Sequence, residues 1–391
     1  MVDVQLADRI KKLPPYLFVR LDEMKKNAQK KGVDVIDLGI GDPDRPTPKH
    51  IVQAAQKAMA DPAYHHYPSS YGLARFKESA AAYLERRFKV KLDPSQVVSL
   101  IGSKEGIGHF PLAYLNPGDV ALVPSPAYPV YKIGTMFACG EPYIMPLQEE
   151  NGFLPDLSAI PADVADRAKI MFINYPNNPT AATCGLDFFK EAVEFAKKHN
   201  IVIAHDNAYC ELCFDGYEAP SILEVEGAMD CAVEFHSMSK SFNMTGWRIG
   251  FAAGAEDAVS ALGKVKSNID SGAFEAVQMA GIEAMDNGED DIKGLREMYR
   301  KRRDVLLEGL DSLGISYQKP KGSFYVWAQA PEGMSSEDWV GALIEKAGIM
   351  TSPGNGYGEE GEGYFRMALL VDEDRMKEAV DRMEKMKKEL D

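Results

Sequence analysis

The sequence predicts an α/β fold in which a mainly parallel β-sheet is covered by helices on both faces. Short apolar runs recur along the 391-residue chain and alternate with helix-like stretches. These runs are apolar at nearly every position, which is typical of parallel strands buried on both faces. The composition, with 45% hydrophobic and 26% charged residues, is that of a globular protein and excludes a disordered or fibrous one.

The apolar runs predict six strands, and the stretches between and after them predict amphipathic helices. The strands are expected at 97–102, 119–125, 168–174, 201–206, 232–237 and 248–254, with helices at 188–200, from 274 onward and at 291–314. After residue 314 the pattern changes to hairpin-type strands, followed by helices at 336–347 and 372–390. We therefore expect a second, smaller α+β unit, against which the first 45 residues pack.

These elements predict three segments. They are an N-terminal arm with part of the small unit (1–47), a large unit (48–288) and a C-terminal small unit (289–391).

The net charge of −15 makes binding to the phosphate backbone of nucleic acids unfavourable. No apolar stretch is long enough to span a membrane, and the N-terminus lacks the apolar core of a signal peptide. Five cysteines do not suit a disulfide framework, so we expect a reduced, cytoplasmic protein. The C-x-x-C pair of Cys210 and Cys213 lacks a second pair or spaced histidines, so no metal site is expected.

Polar or glycine-containing segments follow four of the predicted strands. They are Gly102–Lys104, Asn174–Asn178, Asp206–Tyr209 and Ser237–Lys240. Ligands of open α/β sheets bind outside the carboxyl ends of the strands, so these four segments are expected to form one site.

Lys240 is a candidate for covalent, Schiff-base chemistry because it follows a buried strand and lies among hydroxyl side chains. An isolated lysine is ordinarily a surface residue, but its neighbours Ser237, Ser239 and Arg248 are the residue types that bind a phosphate. Asp206 follows the apolar run IVIAH, and a buried carboxylate is costly without a cationic partner. A protonated pyridine nitrogen would be such a partner.

Four ordered motifs resemble those of the class I and II aminotransferases of pyridoxal phosphate fold type I. They are NYPNNPT (174–180), HDNAY (205–209), SMSKSFNMTGWRIG (237–250) and YFRMAL (364–369). The segments LADRIKKLPPYLF (6–18), LGIGDPD (38–44), 99–119 and NIDSG (268–272) are similar to the LL-diaminopimelate aminotransferase branch. The resemblance covers nearly the whole chain and implies a seven-stranded sheet and a homodimer with shared active sites.

The resemblance implies a role for each residue that would touch the pyridoxal ring. Lys240 would hold the cofactor covalently and shuttle a proton between substrate and cofactor carbons. Asp206 would keep the pyridine nitrogen protonated. Asn178 and Tyr209 would bind the ring hydroxyl oxygen, and Tyr128 would stack on the ring.

The same resemblance implies the phosphate ligands. They would be Ser103 and Lys104 at a helix start, together with Ser237, Ser239, Arg248 and, from the partner subunit, Tyr67.

For the substrate, the resemblance implies that Arg366 binds the α-carboxylate, helped by the backbone at Gly41 and by Asn178. Tyr16, Lys104 and Asn268 match positions associated with the far end of the substrate. A glutamate found before the corresponding glycine in some members is absent here, where Ser70 and Tyr71 precede Gly72. The ligand of the distal ammonium is therefore not identified by the resemblance.

The implied activity is ping-pong transfer of an amino group between an amino acid and a 2-oxo acid. The implied pair is LL-2,6-diaminopimelate and 2-oxoglutarate, as in lysine biosynthesis. Two alternatives use the same scaffold: a broader alanine, aspartate or aromatic aminotransferase, and a C–S β-lyase. A cofactor-binding regulator without catalysis is disfavoured, because the motifs extend from Leu38 to Leu369 and leave no room for a DNA-binding domain.

Overall fold

The apolar runs form strands and the amphipathic stretches form helices in the computed structural model, which describes residues 4–14 and 17–390. The strands are β1 (Ile36–Asp37), β2 (Val97–Leu100), β3 (Val120–Ser125), β4 (Glu141–Pro146), β5 (Ala168–Ile173), β6 (Val202–Asp206), β7 (Ala232–Ser237), β8 (Gly250–Gly254), β9 (Tyr325–Gln329), β10 (Ile349–Met350), β11 (Ser352–Pro353) and β12 (Tyr364–Ala368).

The helices lie between and after these strands. They are α1 (Asp8–Lys11), α2 (Leu17–Lys30), α3 (Lys49–Met59), α4 (Ala74–Phe88), α5 (Ser103–Tyr114), α6 (Val130–Phe137), α7 (Ala162–Arg167), α8 (Leu186–His199), α9 (Met238–Ser241), α10 (Glu256–Ile269), α11 (Glu275–Asn287), α12 (Glu289–Ser312), α13 (Ser336–Ala342) and α14 (Glu373–Leu390).

Seven strands form the large sheet, in the order β2-β8-β7-β6-β5-β3-β4. All are parallel except β8, which runs antiparallel to both of its neighbours. The predicted α/β class with a mainly parallel seven-stranded sheet is confirmed. Strand β8 is antiparallel because a short connection, residues 238–249, links the end of β7 directly to the start of β8. The chain therefore turns back and runs alongside β7 in the opposite direction. Strand β8 is buried on both faces like its parallel neighbours, so the apolar pattern did not reveal its direction.

Strand β4 at the edge of the sheet is absent from the six predicted strands. Of its six residues only Met145 is buried, and Pro142 and Pro146 lie within it. Proline is confined to edge strands because it cannot donate a hydrogen bond to a neighbour. The sequence of β4 therefore lacks the apolar run that marked the other six strands.

Alternate residues of the central strands enter two different core clusters, one on each face of the large sheet. In β5, Met171 and Ile173 belong to one cluster, whereas Ile170 and Phe172 belong to the other. Because both faces are covered, the polar residues of this sheet are concentrated at the strand ends.

A smaller antiparallel sheet has the order β11-β12-β9, and Arg366 lies opposite Trp327 within it. The N-terminal strand β1 pairs in parallel with β10, which supports the expectation that the first 45 residues pack against the C-terminal part of the chain. Helices α12 and α14 cover this region with a cluster of buried apolar side chains. Among the described residues, no helix has both the length and the apolar character needed to cross a bilayer.

Candidate active site

The polar strand ends of the large sheet converge on one pocket, as their positions in the sequence predicted. It lies at the carboxyl ends of β2, β5, β6 and β7, which all point the same way. The predicted residues that line it are Gly41, Ser103, Lys104, Tyr128, Asn178, Asp206, Tyr209, Ser237, Ser239, Lys240 and Arg248.

Lys240 lies on the single turn α9 that directly follows β7, so its position is fixed by the end of a buried strand. Its Nζ donates a hydrogen bond of 2.6 Å to the carbonyl oxygen of Gly41. Burial lowers the pKa of Lys240 to about 8, and the positive charges of Arg366 and Arg248 act in the same direction. About a tenth of this amine is therefore neutral, and so nucleophilic, at pH 7, a far larger share than for an ordinary lysine.

Asp206 is the last residue of β6 and is 6% exposed. Its Oδ2 accepts a hydrogen bond of 2.8 Å from the hydroxyl of Tyr131, whereas Oδ1 is buried without a hydrogen-bond partner in the described part of the chain. Burial raises the pKa of Asp206 to about 6, against the opposing effect of the Tyr131 hydroxyl. The pocket therefore contains a carboxylate oxygen that lacks a donor.

Several groups that can bind an anion surround the start of α5. Ser103 and Lys104 are its first two residues, where backbone N–H groups are not used within the helix. The cap residue Gly102 has φ +74°, and a Cβ there would collide with the guanidinium of Arg248. The absence of a side chain thus lets Arg248 approach the helix start, close to Ser237 and Ser239.

Arg366 on β12 is fully buried beside the pocket and does not line it. Its two terminal nitrogens donate to Asn178 Oδ1 at 2.7 Å and to the carbonyl oxygen of Gly39 at 2.6 Å. The guanidinium carbon lies over the rings of Tyr325 and Tyr357, at 4.0 and 4.9 Å from their centroids. This packing fixes the plane of the guanidinium, as bidentate binding of a carboxylate requires.

The remaining predicted residues are not brought into the pocket. Tyr67 is 91% exposed, and Asn268 is exposed with its side-chain amide bonded to the carbonyl oxygen of Lys264 at 2.8 Å. Tyr16 lies outside the described residues.

The sequence analysis missed three polar residues that line the pocket and one tyrosine that binds Asp206 from outside the lining. The hydroxyl of Tyr325 lies 3.2 Å from that of Tyr209, and Asp42 and Thr245 line the pocket. Tyr131 binds Asp206 from helix α6 and stacks on Phe172. A signal for Tyr131 was available, since it lies three residues after Tyr128, one helical turn away.

The family model described as aminotransferase class I and II matches residues 33–383. The chain belongs to this family. It is accordingly an enzyme of the transaminase type, and its fold is that of a fold type I aminotransferase.

Full-length relatives are also similar to this aminotransferase. It is 56% identical to the LL-diaminopimelate aminotransferase of Syntrophobacter fumaroxidans, over 97% of this chain and 98% of the relative. It is 54% identical to that of Aquifex aeolicus, over 98% and 99% of the two chains.

Two solved structures illustrate the structural similarity. The substrate-bound BacF structure from Bacillus subtilis is 38% identical, with a TM-score of 0.94 over 98% of both chains. A single mutant of Thermus thermophilus aspartate aminotransferase is 29% identical, with a TM-score of 0.92 over 98% of this chain and 100% of the other.

Proposed function

We propose that the pocket binds pyridoxal 5'-phosphate and that the aminotransferase exchanges the amino group of LL-2,6-diaminopimelate with 2-oxoglutarate. The observation that carries the cofactor proposal is the buried Oδ1 of Asp206, which lacks a partner in the described chain and lies in the same pocket as the low-pKa amine of Lys240. A protonated pyridine nitrogen would supply the missing donor, and a phosphate suits the helix start next to Arg248.

When bound, pyridoxal phosphate supplies an electron sink for the bond that breaks at the α-carbon of the substrate. Lys240 would hold the cofactor through its amine and, once released, move a proton at the α-carbon. Asp206 would hold the pyridine proton, while Tyr128, Asn178 and Tyr209 position the ring.

Two further groups of residues in and beside the pocket would bind the substrate carboxylate and the cofactor phosphate. Arg366, with Asn178 and the backbone at Gly41, would grip the α-carboxylate. The phosphate would be bound by Ser103, Lys104, Ser237, Ser239 and Arg248.

The substrate proposal is supported by the curated relatives, which are named LL-diaminopimelate aminotransferases and are more than half identical to this chain. Three residues would contact the far end of this substrate: Tyr16, Lys104 and Asn268. Of these, Lys104 lines the pocket. Lysine biosynthesis is the corresponding role in the cell. We place the enzyme in the cytoplasm, which suits the five free cysteines of the described chain.

We also propose a homodimer in which Tyr67 and Asn268 reach the partner's pocket. Both are exposed in one chain, and the backbone of Ser69 and Ser70 lies against Gly272, near the end of α10. Exposed apolar side chains occur in these segments, including Ile269 and Phe274 at 53% and 41% exposure. The segments 1–47, 48–288 and 289–391 are proposed as the arm, the large unit and the small unit of each subunit.

The experiment is a steady-state comparison of amino donors with 2-oxoglutarate as acceptor. We expect kcat/KM for LL-diaminopimelate to exceed that for alanine, aspartate and phenylalanine by at least about 100-fold, since matched polar contacts discriminate strongly. Comparable rates with the other donors would favour the broader aminotransferase. Release of pyruvate and ammonia from cystathionine without any oxo acid would favour a β-lyase.

A further inference from the structure

A buried group of titratable side chains lies directly behind Asp206 and has no part in the chemistry proposed above. Glu234 and His205 are fully buried, and His236 is 4% exposed. None of the three lines the pocket. An ionisable cluster at this depth is costly unless it is internally compensated.

The register of the sheet brings these side chains together. His205 on β6 is the Cα partner of Glu234 on the parallel neighbour β7, so both point to the same face. His236 lies two residues after Glu234 and shares that face. His205 is also the residue before Asp206, which places the cluster next to the residue that would hold the pyridine proton.

Each ring nitrogen of His205 has an oxygen atom as its partner. Its Nδ1 lies 2.9 Å from Oε1 of Glu234, and its Nε2 lies 3.3 Å from the carbonyl oxygen of Tyr175. A carbonyl oxygen accepts only, and an ionised carboxylate also accepts only. Both ring nitrogens of His205 thus face acceptors when Glu234 is ionised, which is the arrangement that a doubly protonated ring satisfies.

Glu234 is surrounded by donors that favour its ionised form. Its Oε1 also accepts from the backbone N–H of Ile222 at 2.9 Å, and its Oε2 lies 3.0 Å from Nε2 of His236. Burial alone would raise the pKa of Glu234, but the hydrogen bonds and charges of the two histidines hold it well below its ordinary value.

The second histidine of the cluster, His236, lies between Glu234 and the thiol of Cys210. Its Nδ1 lies 4.0 Å from the Sγ of Cys210, and burial raises the pKa of that thiol well above its ordinary range, so the thiol keeps its proton to donate. His236 then donates from Nε2 to Glu234. The cluster thus contains one carboxylate, each of whose oxygens is bonded to one of the two imidazole rings.

The titratable groups around Asp206 come from several elements. Tyr131 faces it from α6, Tyr209 from the segment after β6, and Lys240 from α9. His205 and His236 lower its pKa from behind, against the effect of burial. Cys210 and the ring of Tyr83 contact His236. The hydroxyl of Tyr83 donates to Glu211, and Glu211 forms an ion pair with Arg87.

We propose that Glu234 is a positioning residue, which keeps His205 as an imidazolium and thereby keeps Asp206 ionised at neutral pH. The inference rests on the proposed function, since it explains how Asp206 remains able to hold a proton on the pyridine nitrogen. Its physical basis is the electrostatic effect of a positively charged His205 on the carboxylate of the next residue of β6, in a region from which water is excluded.

The test follows the Asp206 carboxyl directly in the full-length protein without cofactor, by ¹³C NMR of carboxyl-labelled aspartate. The Asp206→Asn variant assigns the signal. In Glu234→Gln and in His205→Gln we expect Asp206 to bind its proton at least about tenfold more tightly, a shift of about one pH unit upward. The control is Glu283→Gln, which removes the charge of a half-buried glutamate whose Oε1 lies 2.8 Å from Nδ1 of His50. This variant should leave the Asp206 titration unchanged.

Thermal melting and near-ultraviolet circular dichroism select the variants that fold. An unchanged Asp206 titration in a folded Glu234→Gln or His205→Gln variant would overturn the proposal, as would an equal shift in the control. Because a variant can fail to fold, ¹⁵N NMR of histidine-labelled wild type provides an independent check: both ring nitrogens of His205 should be protonated at pH 7. A neutral His205 ring would also overturn it. None of these readouts depends on turnover, so failure of the proposed reaction would be seen separately.

Discussion

The residues that would hold the cofactor and those that would bind the far end of the substrate lie in different environments. Asp206, Ser237 and Ser239 are buried at strand ends, and the partly buried Lys240 is hydrogen-bonded to Gly41. In contrast, Tyr67 and Asn268 lie on the surface of the single chain and do not line its pocket. The pocket proposed to bind the cofactor is therefore built largely at the strand ends of one chain's sheet.

The residues proposed for the reaction chemistry and those proposed for substrate choice therefore belong to different parts of the molecule. The groups proposed to move or hold protons, Lys240 and Asp206, lie on buried elements, so their pKa values are set by burial and by neighbouring groups. The groups proposed to recognise the distal end depend on surface segments that a second subunit would cover. Substitutions in the two regions should consequently affect different kinetic parameters.

The largest effect is expected for Lys240→Ala. Removing the amine deletes the group proposed to hold the cofactor and to move the substrate proton, so kcat should fall by on the order of 10⁴-fold. Stopped assays of glutamate formation measure this loss, with Lys190→Ala on the exposed face of α8 as a control that keeps full activity. Substantial residual turnover would show that another group performs the proton transfer.

The reactivity of Lys240 should follow its lowered pKa of about 8. Only the neutral amine is a nucleophile, so its labelling by trinitrobenzenesulfonate should rise about tenfold per pH unit below that value and level off above it. Peptide mapping of the cofactor-free protein between pH 6 and 10 measures the profile at this residue. A midpoint near that of ordinary lysines would show that burial does not depress this pKa.

A smaller effect is expected for Tyr67→Phe, which removes one hydroxyl proposed to reach the phosphate in the partner's pocket. Loss of a hydrogen bond to a charged group should weaken cofactor binding about tenfold, with a smaller change in kcat. Equilibrium dialysis measures the Kd, and Tyr317→Phe, whose hydroxyl binds Asp311 elsewhere, is the matched control. Unchanged cofactor affinity would argue against the shared site.

The smallest effect is expected for Asn268→Ala. Loss of one neutral hydrogen bond to the far end of the substrate should raise KM for LL-diaminopimelate about fivefold and leave cofactor affinity unchanged. Steady-state kinetics resolve the two parameters, and Asn287→Ala at the end of α11 is the control. A matching rise in KM for 2-oxoglutarate would mean that Asn268 does not act on the distal end.

Much of the cofactor region was predictable because buried strands and polar strand ends leave strong local patterns. The four polar segments at the strand ends meet as expected, and Lys240, Asp206 and Arg248 line one pocket. The direction of β8 and the presence of β4 were not predictable in the same way. Burial on both faces hides strand direction, and an edge strand containing prolines lacks an apolar run.

Contacts across strands were not predictable from local sequence. Glu234 lies inside the run AVEFHS, and only the pairing of β7 with β6 places it against His205. The partnership of Tyr131 with Asp206 likewise depends on how α6 packs on the sheet. Such contacts follow from register and packing, which short sequence patterns do not specify.

The most direct test of the account is a half-reaction with the purified enzyme loaded with pyridoxal phosphate. LL-diaminopimelate is added without any oxo acid, and the visible absorbance of the bound cofactor is recorded. We expect the absorbance to disappear and to return when 2-oxoglutarate is added. A coloured protein that ignores this donor but responds to alanine, aspartate or an aromatic amino acid would contradict the substrate proposal, and a protein that binds no cofactor would contradict the whole account.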